Sequence, residues 1–142
     1  MPKSADVAGG VEMTATQGLQ NSQRVLVVDD NADGADTLAL ILRMNGFAVD
    51  TAYGARQALD RAKAFTPDVV LLNLGLPDMD GFEVARRIRS MHGFEAVRLV
   101  AVTGYGQNEA RTRSHAQGFD AYLVKPISPT ELEATLTLPT RR

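Results

Sequence analysis

The sequence predicts an α/β sandwich in which a parallel sheet lies between two layers of helices. Short apolar runs of strand length alternate with segments of helical period five times along the chain. Four of these runs end in polar residues, as buried parallel strands do when their carboxyl ends meet at one edge of a sheet. With right-handed crossovers, this order of elements gives a doubly wound sheet.

The first half of the chain carries three predicted strands and two helices. Residues 1–23 are polar and lack aliphatic periodicity, so we expect a disordered tail there. Asp30 or Asn31 can cap the first helix, and Asn45-Gly46 is a typical helix end. The apolar positions predicted to form inward helix faces are Leu38, Ile41 and Leu42, then Ala55, Ala58, Leu59, Ala62 and Phe65. The predicted strands are Arg24–Val28, Ala48–Thr51 and an apolar run from Val69 that reaches Asn73.

The second half carries two more strands and three predicted helices. Asp78, Asp80 and Gly81 indicate a turn and a helix start. The strands cover Arg98–Thr103 and Ala121–Val124, and a weak polar helix is expected between them at about 108–117. The helix after Gly81 buries Phe82, Val84, Ala85 and Ile88 and leaves Arg86, Arg87 and Arg89 on a solvated face. A capping box at Ser128-Pro129-Thr130-Glu131 opens the last helix, with Leu132 and Leu136 inward and Pro139 beyond its end.

Composition limits the classes of function. The 142 residues suit one domain, and a formal charge of −2 argues against a nucleic-acid or anionic-membrane surface. The chain has no Cys, which excludes disulfides, thiolate zinc sites and Cys nucleophiles. No apolar run approaches the roughly 20 residues that span a bilayer. We therefore expect a cytoplasmic domain with no nucleic-acid and no membrane partner.

Polar residues follow four of the apolar runs. They are Asp29, Asp30, Asn73, Thr103 and Lys125. In an open parallel sheet, ligands bind outside the carboxyl ends of the strands, at the point where the strand order reverses. We therefore expect these five side chains to converge at one site.

Four segments around these residues carry a resemblance to a known family. They are Val27-Val28-Asp29-Asp30-Asn31, Leu72-Asn73-Leu74-Gly75-Leu76-Pro77-Asp78-Met79-Asp80-Gly81, Val102-Thr103-Gly104-Tyr105 and Tyr122-Leu123-Val124-Lys125-Pro126. In order and spacing they resemble the receiver domain of two-component response regulators and hybrid histidine kinases. The resemblance covers about residues 24–138 and leaves residues 139–142 as a C-terminal tail. It implies a flavodoxin-like (βα)5 fold with strand order 2-1-3-4-5.

The resemblance also implies a Mg²⁺ site. Asp30 would bind the cation directly, Asp29 mainly through water, and the carbonyl of Gly75 would add a further oxygen. Carboxylate, carbonyl and water oxygens are the ligands that Mg²⁺ prefers. Asn73 would stand beside them at the phospho-acceptor position.

Three further residues match the family's phosphoryl-binding and switching positions. The hydroxyl of Thr103 and the ammonium of Lys125 would each hold a phosphoryl oxygen. Tyr122 matches the switch aromatic, which turns inward when Thr103 is drawn toward the phosphate. The family often has a cis peptide bond where this chain has Lys125-Pro126, and that bond would aim the lysine into the site.

Asn73 departs from the family, which has Asp at this position. An amide oxygen is a poor nucleophile, so the acyl phosphate should not form. Each close pair among three carboxylates costs on the order of 4 kcal/mol at an effective dielectric of about 20, so losing one charge should stabilise the metal-free fold. The amide oxygen could still coordinate Mg²⁺, so we expect weak binding, if any. The chain is then a natural pseudo-receiver, or a competent receiver changed from Asp to Asn; deamidation of Asn73 is a third account.

The resemblance predicts a regulatory module of a phosphorelay rather than an enzyme. Its partner would be a histidine kinase, a histidine phosphotransfer protein or an effector protein, and the chain would be a monomer or weak dimer. One alternative is a Mg²⁺-dependent phosphatase or hydrolase with Asp29 as its nucleophile. Another is a flavin-binding module, although Asp29 and Asp30 stand where such a module has its phosphate loop.

Overall fold

The computed structural model describes residues 23–104 and 118–137. The strands are β1 (Arg24–Val28), β2 (Ala48–Ala52), β3 (Val69–Asn73), β4 (Arg98–Thr103) and β5 (Ala121–Val124). The helices are α1 (Ala32–Met44), α2 (Ala55–Phe65), α3 (Gly81–Ser90) and α4 (Pro129–Leu136). The five strands form one parallel sheet in the order β2-β1-β3-β4-β5, which confirms the predicted fold. The predicted helix at 108–117, residues 1–22 and Pro139 lie outside the described residues.

Two apolar layers cover the sheet because successive side chains of each strand point to opposite faces. Val70 and Leu72 join the layer under α2 and α3, whereas Val69 and Leu71 join the layer under α1 and α4. All five residues of β3 are buried. A strand covered on both faces is apolar, as β3 is from Val69 to Leu72, and the strand order places β3 at the centre of the sheet.

Helix starts follow the capping signals in the sequence. Asn31 caps α1, because its Oδ1 accepts a hydrogen bond from the backbone N–H of Gly34 at 3.2 Å. Ser128 caps α4 in the same way through the N–H of Glu131, and Pro129 occupies the first helical position as predicted. Asn31 rather than Asp30 therefore caps α1, which leaves the Asp30 carboxylate available to the edge of the sheet.

The inward face of α1 agrees with the prediction at Leu42 and at the partly buried Leu38, but differs at Ile41. Ala35, Ala39 and Leu42 are buried, whereas Ile41 is 46% exposed. Two alanines on the inward face let the helix axis approach the sheet closely, so the small side chains decide which face is buried. The prediction relied on the large aliphatic residues and overlooked Ala35 and Ala39.

Arginines bind carbonyl groups at the edge of the sheet where the strands begin. Arg24 donates a hydrogen bond from Nε to the carbonyl of Phe65, at the end of α2, and lies over the Phe65 ring. Arg98 is only 4% exposed and donates to the carbonyl of Leu136, at the end of α4. Burial lowers the pKa of Arg98, against the opposing effect of nearby carboxylates. A cation stabilises the carbonyl end of a helix, so these contacts anchor α2 and α4.

Arg89 does not lie on the solvated face predicted for it. Its guanidinium donates to the carbonyls of Glu95, Val97 and Gly118 and to the carboxylate of Asp120. It therefore joins the loop after α3 to the segment before β5. The spacing of the helix could not reveal this contact, because the partners lie up to 31 residues away.

Candidate functional site

The predicted residues converge at the carboxyl edge of the sheet. Asp29 and Asp30 follow β1, while Asn73 and Thr103 end β3 and β4. The side chains of Asp29, Asn73 and Thr103 are buried, with 8%, 9% and 4% of the residue exposed. Polar groups buried at this depth need partners, so the hydrogen bonds among them define the site.

Asn73 bridges the two aspartates. Its Nδ2 donates to Oδ1 of Asp29 at 3.0 Å and to Oδ1 of Asp30 at 3.3 Å. Its Oδ1 accepts a hydrogen bond from the backbone N–H of Gly75 at 3.2 Å. The nitrogen of the amide therefore faces the carboxylates, and its oxygen faces the loop after β3.

Lys125 completes the surroundings of Asp29. Its Nζ lies 2.7 Å from Oδ2 of Asp29, and its backbone N–H donates to the carbonyl of Thr103. Oδ1 of Asp29 also accepts from the N–H of Asn31 at 3.0 Å. The Lys125-Pro126 peptide bond is cis, as the resemblance predicted. Both oxygens of Asp29 are thus engaged in hydrogen bonds.

Thr103 and Tyr122 lie on the adjacent strands β4 and β5. Tyr122 pairs with Ala101, two residues before Thr103, and its partly buried ring packs against the apolar layer under α2 and α3. Thr103 is buried at the end of β4. The placement agrees with the predicted neighbourhood, while the roles of Thr103 and Tyr122 remain predictions.

The loop between β3 and α3 is fixed by Asp78, which we predicted only as a turn residue. Its carboxylate accepts hydrogen bonds from the N–H groups of Ala55 and Arg56, at the start of α2. The N–H of Ala55 lowers the pKa of Asp78. Gly54 stands at the N-cap of α2 and offers no side chain. A helix start with no capping side chain is the signal that could have pointed to an acceptor elsewhere in the chain.

A groove of about 770 Å³ opens beside the site, between α1 and the segment after β5. Asp29, Asn73 and Lys125 line its polar end. Leu38 and Ile127 line an apolar part. The site is therefore accessible from the α1 side of the sheet.

The donor set does not fit Mg²⁺. Asp29 and Asp30 could supply carboxylate oxygens, but the group that Asn73 directs at them is a hydrogen-bond donor. Across residues 23–104 and 118–137, no group of three His, Cys, Asp or Glu side chains could hold a metal ion. A cation requires oxygen atoms in these positions, and the amide presents N–H instead.

Nothing in the described part of the chain resembles a membrane span, since none of its helices is both long and apolar enough.

Comparison with known proteins places the chain in a family. A model of the response regulator receiver domain matches residues 25–137. A 14.6 kDa protein of Leptolyngbya boryana, encoded in the sodA1 3'region, is 36% identical over 76% of this chain and 82% of its own length. The transcriptional regulatory protein CreB of Escherichia coli is 35% identical over 84% of this chain. The DNA-binding response regulator MtrA of Mycobacterium tuberculosis is 39% identical over 84% of this chain.

The chain spans 52% of CreB and 51% of MtrA, about half of each regulator.

Solved structures of receiver domains have the same fold as this chain. A CheY-like receiver domain protein of Methanospirillum hungatei superposes with a TM-score of 0.74 and 30% identity, covering 80% of this chain and 90% of that one. Chemotaxis protein CheY4 of Vibrio cholerae superposes with a TM-score of 0.76 and 30% identity, covering 80% of this chain and 95% of CheY4. The chain belongs to the receiver domain family of two-component response regulators.

Proposed function

We propose that this chain is a receiver module of a phosphorelay in which residue 73 holds the acceptor position and is chemically silent. The observation that carries the proposal is the position of Asn73, at the end of the central strand, with its amide between the carboxylates of Asp29 and Asp30. Aspartyl phosphorylation is blocked, and the module acts by protein contact. Either a natural pseudo-receiver or an Asp-to-Asn variant of a competent receiver accounts for the position.

The block follows from the chemistry of phosphoryl transfer. The reaction requires an oxygen nucleophile in line with the leaving group. The amide of Asn73 is uncharged, its oxygen accepts the Gly75 N–H, and its nitrogen donates to the aspartates. A neutral amide in this arrangement does not attack a phosphoryl group.

The other parts of the site support a competent pocket around a silent acceptor. In this proposal Thr103 and Lys125 would contact phosphoryl oxygens, with Tyr122 as the switch residue. Lys125 would have to exchange its ion pair with Asp29 for the phosphoryl group. Receiver domains generally bind Mg²⁺ at the acceptor site. We propose that this chain binds it weakly, if at all.

Receiver domains are regulatory modules that interact with histidine kinases or phosphotransfer proteins. We propose a partner of that kind, or an effector protein, contacted from the site edge by a cytoplasmic monomer or weak dimer. CreB and MtrA are transcriptional and DNA-binding regulators, and the chain spans about half of each. We propose that the receiver domain itself does not contact nucleic acid, consistent with its charge of −2.

A regulatory role fits the site better than a phosphatase that uses Asp29. A nucleophilic carboxylate needs an oxygen free to attack. Oδ1 of Asp29 accepts from Asn31 and Asn73, and Oδ2 is paired with Lys125.

Phosphoryl uptake tests the silent acceptor. The chain and the Asn73→Asp variant are incubated with acetyl phosphate and Mg²⁺, and intact mass is measured. We expect only the variant to gain one phosphoryl group, because it alone has a carboxylate in position. The double variant Asn73→Asp, Lys125→Ala is the matched control and should take up much less. Uptake by the unchanged chain would refute the proposal.

Protein contact is tested separately. The unchanged chain is immobilised and challenged with the purified histidine kinase and phosphotransfer domains of its source organism. We expect at least one to bind the Asn73 chain in the absence of any phosphoryl donor. If none binds, the proposed contact role fails, whatever the mass experiment shows.

A further inference from the structure

We propose that the side-chain amide of Asn73 takes the place of a divalent cation in this site and opposes cation binding. The N–H₂ group bridges Asp29 and Asp30, and each hydrogen bond ends on a carboxylate oxygen. A cation in a receiver site draws carboxylates together by its charge. In this chain two N–H dipoles, with help from Lys125, do so instead.

The orientation of the amide is fixed by its neighbours on both sides. The backbone N–H of Gly75 can only donate, so it requires the oxygen of Asn73. The carboxylates can only accept, so they require its nitrogen. Rotating the amide by half a turn would set N–H against N–H and oxygen against carboxylate. An amide oxygen is therefore not available to a cation without losing three hydrogen bonds.

Charge in the site is already partly compensated. Two carboxylates face one ammonium, because Lys125 lies 2.7 Å from Asp29. The remaining repulsion between Asp29 and Asp30 is offset by the shared amide nitrogen. A divalent cation that took Oδ1 of both carboxylates would have to displace that nitrogen, so binding must compete with contacts already made.

This inference opposes the expectation that Asn73 is merely a weak ligand through its oxygen. It rests on the proposed function only in taking residue 73 as the acceptor position. Removal of the side chain separates the two accounts. If the amide oxygen coordinates, Asn73→Ala weakens Mg²⁺ binding; if the amide nitrogen opposes the cation, Asn73→Ala strengthens it.

The experiment titrates Mg²⁺ into the chain, Asn73→Ala and Asn73→Asp, reading heat of binding and the midpoint of thermal unfolding. We expect Asn73→Ala to bind on the order of tenfold more tightly than the unchanged chain, since two charge-assisted hydrogen bonds no longer compete. Asn73→Asp should bind most tightly. Asn73→Ala, Asp30→Asn is the control, and loss of the gain in it locates the cation at this site. Equal or weaker binding by Asn73→Ala would overturn the proposal.

A second measurement uses the unchanged chain and does not depend on any variant folding. The side-chain amide resonances of Asn73 are followed by NMR during the Mg²⁺ titration. We expect them to stay in place through millimolar Mg²⁺, because the amide keeps its hydrogen bonds. A saturable shift would show coordination and overturn the proposal. Neither readout involves phosphoryl transfer or partner binding, so this proposal and the proposed function can fail independently.

Discussion

Asp78 caps a helix that begins 23 residues before it, by accepting the N–H of Ala55 with both carboxylate oxygens. The contact joins the loop after β3 to the start of α2. Gly75, which donates to Asn73, lies in the same loop. The cap therefore stabilises a helix and restrains the loop beside the site.

Replacing Asp78 should destabilise the domain in a pH-dependent way. The N–H of Ala55 lowers the pKa of Asp78 below 3.8, so the stabilisation is present above that value and is lost as pH falls through the lower folded-state pKa. Urea unfolding of Asp78→Ala should show a lower midpoint at neutral pH and a smaller loss on acidification. Asp60→Ala, at an exposed position of α2, is the control and should behave like the unchanged chain. If acidification lowered the stability of Asp78→Ala as much as that of the unchanged chain, the prediction would be contradicted.

Gly81 should not tolerate a side chain. A Cβ there would lie 2.7 Å from Cα of Leu74 and 3.1 Å from the carbonyl oxygen of Asn73. Backbone atoms cannot move aside cheaply, so Gly81→Ala should cost about 1–3 kcal/mol of unfolding free energy. Gly34→Ala is the control, because its Cβ would make only ordinary contacts, with the side chain of Asn31. It should be neutral or stabilise by up to about 1 kcal/mol. Chemical denaturation that found the two equivalent would count against this packing argument.

Arg89 should contribute more to stability than its neighbour Arg86. Arg89→Ala leaves the carboxylate of Asp120 and three carbonyls without this donor, and we expect a loss of about 1–3 kcal/mol. Arg86 is exposed, and among residues 23–104 and 118–137 it pairs only with Glu83 on its own helix. Arg86→Ala should therefore change the unfolding free energy little. Guanidinium unfolding of both variants measures the difference, which should disappear if Arg89 is solvated after all.

Glu83 should make α3 slightly acid-sensitive. Hydrogen bonds from Arg86 and Arg87 lower the pKa of Glu83 from 4.5 to about 2. The stabilisation is thus present above 4.5 and is lost as pH falls toward 2. Both arginines are exposed and 31% of the Glu83 side chain is accessible to solvent, so the effect should be small and should shrink further at high salt. Glu83→Gln should reduce the change of stability with pH in this range. Helicity measured against pH, at low and at high salt, tests this expectation.

The sequence predicted best what depends on local pattern. Strand ends could be predicted because apolar runs stop at Asp29, Asn73 and Thr103. Parallel strands bring such ends together at one edge of the sheet. Asn31 and Ser128 cap helices because capping is decided within three residues.

What the sequence did not predict depends on contacts between distant segments. Asp78 binds the N–H of Ala55, 23 residues away, and Arg89 binds Asp120, 31 residues away, where no spacing rule applies. Ile41 is exposed because the inward face of α1 carries Ala35, Ala39 and Leu42 instead. The direction of the Asn73 amide required the N–H of Gly75, which is placed only once the loop has folded.

The arginines that anchor helix ends have a consequence for how this domain can change. Arg24 begins β1 and Asp29 follows its end, so the five residues of β1 separate helix anchorage from the site by roughly 16 Å. Substitutions that far apart usually add without interfering. A substitution at position 73 can therefore change the chemistry of the site, while Arg24 and Arg98 still anchor α2 and α4 at the opposite edge of the sheet. A lineage of such domains could gain or lose its phosphorylation chemistry and remain a folded protein throughout.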